Sequence, residues 1–187
     1  HLHGGPGGFH RKLFDADTEV GLDGEALVVL SRTSPDGEDG YPGNLDVEVR
    51  VGWSEDHVLR IEADAYGDAP TPASFTHHGA WNLAGEGVGN VAMHTLQVEA
   101  DAFLALGSDL AATGHVLPVQ GTPLDLRKGP LLESVFPAAG RFLHSSAPLD
   151  VLEMLGHFGG LDHAFVTTPA APGVMRDVAV LQDSASG

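Results

Sequence analysis

The chain has 187 residues, a formal net charge of -17 and no cysteine. The charge disfavours nucleic acid and anionic membrane surfaces as partners, since both are bound through a basic face. The lack of cysteine excludes disulfides, thiolate nucleophiles and zinc sites with cysteine ligands. Hydrophobic residues make up 42%, enough for a packed core, and 25 glycines with 12 prolines predict many short elements.

A glycine-rich segment at residues 4–8 opens the chain. It could be interpreted as a phosphate cradle, but no Lys-Ser/Thr pair ends it and no strand precedes it. We interpret it as a tight loop that leads to a strand near Phe9. His1 and His3 have the i, i+2 spacing that would place both side chains on one face of a strand.

The strongest strand signal is a pair of alternating runs in the first half of the chain. Apolar residues at positions 45, 47, 49 and 51 alternate with polar ones or glycine, and the same period holds at 59, 61 and 63. These runs predict two half-buried antiparallel strands joined by a polar loop at residues 54–57. Weaker strand signals lie at residues 26–32, 73–78, 93–99, 115–119, 164–167 and 177–181.

Helix signals are few. Apolar periodicity after Pro148 predicts a short helix at residues 149–155, and another short helix fits residues 131–135. Residues 128–159 are the least regular stretch, which we interpret as a connection or insertion. No linker divides the chain, so residues 1–187 are predicted to form a single, mainly β, antiparallel domain.

The 11 histidines raise the question of a metal site. Zinc sites are recognised by spaced motifs such as H-E-x-x-H, and none is present, so no metal ligand is assigned. His77 and His78 are adjacent, and on a strand their rings would point to opposite faces, so only one could enter a given cleft. The other interpretation places one on the sheet surface and the other in the core. Asp162 precedes a predicted strand, where it either forms an Asx turn or offers its carboxylate to substrate hydroxyls.

Five motifs in chain order carry a resemblance to a known family. They are His3-Gly4-Gly5 with Gly8-Phe9, S-P-D-G-E-D-G-Y-P-G-N-L at residues 34–45, Thr71-Pro72 with T-H-H-G-A-W-N-L-A-G at residues 76–85, G-T-P-L-D-L-R at residues 121–127, and G-L-D-H at residues 160–163. In this order they resemble the aldose 1-epimerase (galactose mutarotase) family.

The resemblance implies an antiparallel β-supersandwich with an open cleft for a free sugar. It implies that His78 is the catalytic general acid that protonates the ring oxygen O5. It also implies that His3 and Asp162 contact sugar hydroxyls. Trp81 would stack on a sugar face, and the other interpretation of this side chain is a buried core aromatic.

The chain departs from the family pattern beside the site and at both ends. His77 stands where the family commonly has Asn, and Gly79-Ala80-Trp81 stands for the usual Ser-Tyr-Phe. The family's Asn-Arg pair, its glutamate general base and its sugar-binding Gln have no match here. We assign no local glutamate, such as Glu99 or Glu153, to the base role. The chain is therefore expected to be truncated at both ends.

The resemblance predicts an aldose 1-epimerase that interconverts the α and β anomers of a free hexose, such as glucose or galactose, by acid/base ring opening. This chemistry needs no cofactor and no metal. The alternative is a non-catalytic carbohydrate-binding protein of the same fold, suggested by the unmatched glutamate. A sugar-phosphate epimerase would need paired positive charge at the cleft, for which the candidates are Arg11, Lys12, Arg127 and Lys128. We expect a cytoplasmic location, with neither nucleic acid nor membrane as partner, and leave the oligomeric state open.

Overall fold

The computed structural model describes residues 2–21, 24–107, 111–135 and 161–185. Its strands are Asp15–Val20 (β1), Ala26–Ser34 (β2), Leu45–Trp53 (β3), Leu59–Gly67 (β4), His94–Val98 (β5), Ala100–Leu106 (β6), Ala112–Pro118 (β7), Phe165–Thr167 (β8) and Ala179–Asp183 (β9). One α-helix, Leu132–Val135 (α1), and four 3₁₀ turns, Leu2–Gly4, Phe9–Arg11, Glu38–Gly40 and Val91–Met93, complete the elements of the described residues. No helix in this part of the chain is long and apolar enough to cross a membrane.

The chain divides into two compact units, His1–Gly79 and Ala80–Gly187. The first unit holds a four-stranded sheet in the order β1-β2-β3-β4, and the second holds the sheets β5-β9 and β7-β6-β8. Every pair of neighbouring strands is antiparallel. The mainly β, antiparallel fold class is therefore confirmed. The single domain over residues 1–187 stays a prediction.

The two alternating runs form the β3–β4 hairpin, joined by the polar loop at residues 54–57 as predicted. The register places Val51 opposite Ile61, so the apolar positions of both strands meet on one face. Val47 is 2% exposed, whereas Ile61 is still 37% exposed. The period of two therefore predicts the pairing correctly but overstates the burial of β4.

The sequence predictions missed two strands and added two. The strand expected near Phe9 is wrong, since Phe9–Arg11 forms a 3₁₀ turn. β1 is exposed along its whole length and polar at four of its six residues, and it forms because it pairs with β2 at six positions. β6 pairs with β7 and β8, and it lacks alternation because it is apolar at every position except Asp101. The predicted strand at residues 73–78 is wrong, since residues 70–80 belong to neither strand nor helix. Pro70 and Pro72 precede this stretch, and no strand of the described sheets pairs with it.

Among the helix predictions, the short helix near residues 131–135 is present as α1. The predicted helix at residues 149–155 lies outside the described residues, as does most of the irregular stretch at residues 128–159.

The core of the second unit is built from two adjoining clusters. One contains Phe103, Val119 and Leu124, and the other contains Val98, Ala100, Leu126 and Val135. The G-T-P-L-D-L-R motif thus supplies Leu124 and Leu126 to the two clusters. Leu161 and Phe165 pack against both, so the segment that carries Asp162 is held against the core on either side of this residue.

Candidate functional site

The glycine-rich segment forms a tight loop, in agreement with the sequence interpretation, and this loop fixes the backbone of His3. His3 has φ 56° and ψ 23°, in the left-handed region. The buried Gly8 closes the loop, because its N–H donates to the Gly5 carbonyl at 3.1 Å. A Cβ at residue 8 would overlap the carbonyl oxygen of His3, so only glycine permits this approach.

The turn after β2 ties this loop in place. The Gly7 N–H donates to Asp39 Oδ1 at 3.1 Å. Lys12 Nζ lies 3.0 Å from Glu38 Oε1 and 3.8 Å from Asp39 Oδ2. These contacts join the first two sequence motifs, so the position of the His3 loop depends on the S-P-D-G-E-D-G turn.

Glu38 is the most connected carboxylate of that turn. Arg32 Nη2 donates to both Glu38 oxygens at 2.9 Å, and Ser34 Oγ donates to Oε2 at 2.7 Å. Desolvation opposes ionisation of Glu38, but the Ser34 hydroxyl and the charges of Lys12 and Arg32 outweigh it, so the pKa of Glu38 is lowered.

Glu38→Gln is expected to weaken the pH dependence of stability. Because the folded state lowers the pKa of Glu38 below its ordinary value of 4.5, ionised Glu38 stabilises the fold fully above that value. This stabilisation is lost as the pH falls through the folded-state pKa. Urea denaturation from about pH 7 to about pH 3 should therefore show a smaller acid-side loss of unfolding free energy in Glu38→Gln than in the wild type.

The control for Glu38→Gln is Glu55→Gln, in the exposed loop between β3 and β4. This variant should keep the wild-type pH dependence. Identical acid-side behaviour of wild type and Glu38→Gln would contradict the role given to Glu38.

Three histidine rings gather in the first unit. The centroids of His3 and His10 are 5.0 Å apart with an interplanar angle of 68°, and those of His3 and His78 are 5.9 Å apart at 84°. The structure thus brings together two residues, His3 and His78, that the sequence assigns to one site from separate motifs. Within the described ranges, no three His, Asp or Glu side chains are grouped to hold a metal ion.

His77 differs from His78 in its surroundings. Its ring lies so close to Gly79 that a Cβ at residue 79 would overlap it. The expectation that the two rings alternate across a strand loses its basis, because residues 70–80 form no strand.

The sequence interpretation missed two features of this site. His10 reaches His3 only through the 3₁₀ turn at Phe9–Arg11, for which the sequence has no clear signal. Arg32 lies over the Phe9 ring, 5.6 Å from its centroid, while it binds Glu38. The sequence signal that could have indicated these contacts of Arg32 and Lys12 is Glu38 itself. It is a charged residue within a turn motif, four positions after Ser34.

In the second unit, Trp81 precedes a turn closed by the Asn82 side chain. Asn82 Nδ2 donates to the carbonyls of Gly85 and Val88, each at 2.9 Å, and Asn82 Oδ1 accepts from the Ala84 N–H at 3.2 Å. Trp81 is 58% exposed, so the interpretation as a buried core aromatic is wrong for the described chain.

Asp162 is exposed and lies three residues before β8. Its backbone N–H donates to His163 Nδ1 at 3.2 Å. The His163 ring packs edge-on to Phe103, with centroids 6.4 Å apart. Burial lowers the pKa of His163, and the charge of Asp162 partly opposes this shift. His163 therefore favours its neutral state, and its ring faces the core. The Asp162 carboxylate is accessible to solvent.

His3 and His78 thus belong to the first unit, and Trp81 and Asp162 to the second. That all four line one sugar site stays a prediction.

Comparison with known proteins gives one consistent family. The family model described as aldose 1-epimerase matches residues 1–187. Galactose mutarotase of Sus scrofa is 42% identical over 127 residues, which cover 68% of this chain and 35% of that protein. Aldose 1-epimerase of Escherichia coli (strain K12) is 32% identical over 135 residues, covering 72% of this chain and 38% of that protein. The matched segment therefore spans little more than a third of these relatives.

A solved structure is also similar. The crystal structure of an aldose epimerase homologue from C. elegans superposes with a TM-score of 0.77 at 27% identity, covering 100% of this chain and 50% of that chain. The β architecture of the described residues is thus shared with a larger protein.

Proposed function

Since the chain belongs to the aldose 1-epimerase family, we propose that the whole protein interconverts the α and β anomers of a free hexose such as glucose or galactose. The relatives named galactose mutarotase support this substrate class. The observation that carries the proposal is the contact of His3 with His78, at 5.9 Å between ring centroids, because two separate motifs meet there.

Mutarotation opens and recloses a hemiacetal. A base removes the proton of O1, the C1–O5 bond breaks as an acid gives a proton to O5, and C1–O1 becomes a carbonyl. Rotation about C1–C2 then presents the other face of the carbonyl, and the reverse proton transfers close the ring. The acid and base regain their starting states, so the reaction consumes no proton and needs no redox partner.

His78 is assigned as the general acid. Imidazole suits this role because both of its protonation states are accessible near neutral pH. The His78 side chain is exposed in the described chain, so its ring is open to a ligand, and the edge-on ring of His3 provides a polar neighbour for a sugar hydroxyl. Acid and base must approach opposite ends of the O1–C1–O5 unit, and no residue of this chain is assigned as the base.

Asp162 and Trp81 are assigned to sugar binding. The exposed Asp162 carboxylate can accept hydrogen bonds from two vicinal hydroxyls, while its backbone is fixed through His163. The exposed face of Trp81 suits stacking on the apolar face of a hexose. The cytoplasmic location stays a prediction of the sequence.

Polarimetry of freshly dissolved α-D-galactose and α-D-glucose with the full-length protein tests the proposal. The rate of change of optical rotation should exceed the spontaneous rate and increase in proportion to protein concentration. α-D-glucose 6-phosphate, followed in parallel, should be accelerated less, which separates a free-sugar enzyme from a sugar-phosphate epimerase. Binding of galactose without any acceleration would overturn the proposal and favour the carbohydrate-binding alternative.

A further inference from the structure

A buried histidine outside the assigned site holds the turn that follows Trp81. His94 is the first residue of β5 and is 1% exposed. Its Nε2 accepts a hydrogen bond from the Leu83 N–H at 2.9 Å. Because an imidazole nitrogen that accepts is unprotonated, this bond requires the tautomer with its proton on Nδ1.

The buried imidazole of His94 is energetically unfavourable at one of its two nitrogens. In the described chain His94 Nδ1 is buried without a hydrogen-bond partner, and a buried polar group in that state is unfavourable. An apolar side chain would fill the same space without this cost. What the imidazole adds is the acceptor that faces Leu83.

The turn that His94 contacts is closed by its own hydrogen bonds. Besides the Asn82 side-chain contacts, the Gly85 N–H donates to the Asn82 carbonyl at 3.1 Å. Asn82, Leu83, Ala84 and Gly85 therefore form a β-turn, with Leu83 at its second position. A turn closed in this way moves as a unit. The hydrogen bond from the Leu83 N–H to His94 therefore fixes the whole turn and the backbone that leads into it from Trp81.

We propose that His94 is a positioning residue for sugar binding, which acts through the Leu83 N–H to fix the Asn82 turn and thereby the Trp81 ring. The proposal rests on the proposed function, where Trp81 is assigned to the sugar. It gives His94 no contact with substrate and no part in proton transfer. Loss of the anchor should therefore raise KM for galactose and leave kcat nearly unchanged.

Two substitutions of His94 separate positioning from simple packing. His94→Gln places an amide oxygen near the position of Nε2, whereas His94→Asn places it near Nδ1, away from Leu83. We expect His94→Gln to keep KM within about twofold and His94→Asn to raise it roughly fivefold, the loss of about one hydrogen bond. Both variants lack the imidazole, so equal KM values in the two would overturn the proposal.

A second pair removes the same bond from its other end and leaves the buried site intact. Leu83→Pro deletes the N–H donor at a turn position that proline favours, and Leu83→Ala keeps this N–H while shortening the side chain. We expect KM to rise roughly fivefold in Leu83→Pro but not in Leu83→Ala. An unchanged KM in Leu83→Pro would contradict the anchor even if His94→Asn failed to fold.

Hydrogen exchange of the full-length protein without sugar tests the anchor independently of activity. The Leu83 amide should exchange faster in His94→Asn and at the wild-type rate in His94→Gln. If polarimetry shows no mutarotation but exchange follows this order, the proposed function fails and the anchor stands. Unchanged protection of the Leu83 amide in His94→Asn overturns the anchor itself.

Discussion

His78→Gln is expected to lower kcat for mutarotation by about 10²–10⁴-fold, the usual contribution of one positioned general acid. Glutamine keeps a polar side chain of similar reach but has no proton to deliver at neutral pH. Ring opening would then release an alkoxide at O5 without assistance. KM should change little, because the sugar hydroxyls are assigned to His3 and Asp162 instead. Polarimetry at saturating galactose measures kcat directly.

His115→Gln is the matched control for His78→Gln. His115 is also an exposed histidine, but it lies on β7 and is assigned no role in the site. This variant should retain the wild-type kcat. A kcat in His78→Gln within about threefold of the wild type would remove His78 from the acid role, because a positioned general acid contributes about 10²–10⁴-fold. An equal loss of kcat in both variants would show that the effect does not depend on the position of His78, and would also contradict its acid role.

The local patterns that could be predicted are those in which one strand face differs from the other. β3 and β4 alternate, and their hairpin has the predicted loop. β1 could not be recognised, because its polar residues carry no such difference and it is ordered by pairing with β2. β6 was not predicted for the opposite reason, since it is apolar at every position except Asp101 and therefore shows no alternation.

The candidate site also contains some residues that could be assigned from the sequence and others that could not. His3 and His78 were assigned because each lies in a recognisable motif, and the structure places their ring centroids 5.9 Å apart. Their roles stay a prediction. The residues that hold them in place were not assigned. Gly8 depends on a close approach to the His3 carbonyl, and Glu38 depends on charges from β2 and the loop before β1. Both residues lie within the quoted motifs, but their supporting roles follow only from contacts in the folded chain.

His94 belongs with these supporting residues. The sequence interpretation placed it only near the start of a strand, and nothing in its spacing distinguishes it from the other histidines. Its role follows from a single hydrogen bond to Leu83, eleven positions earlier in the chain. The residues proposed to perform the chemistry were thus assigned from motifs, whereas the residues proposed to position them were found only in the structure.

Phe103→Ala is expected to destabilise the second unit by about 3–5 kcal/mol, the usual cost of truncating a fully buried phenylalanine. Phe103 is 0% exposed and lies on β6, the central strand of its sheet. It packs with Val119 and Leu124, both also 0% exposed, so the cavity left behind would be enclosed by residues that cannot all move inward. The shift of the urea midpoint, at unchanged m-value, measures the loss.

The control for Phe103→Ala is Val166→Ala, on the neighbouring strand β8, where Val166 is 40% exposed. A half-exposed valine should cost less than about 1 kcal/mol when truncated. Phe103 also supports Leu161 and Phe165, which lie on either side of Asp162, so Phe103→Ala should raise KM for galactose under conditions where the variant is still folded. Equal urea midpoints for the two variants would show that Phe103 is not central to this core. A large stability loss with unchanged KM would show instead that Asp162 does not depend on this core for its position.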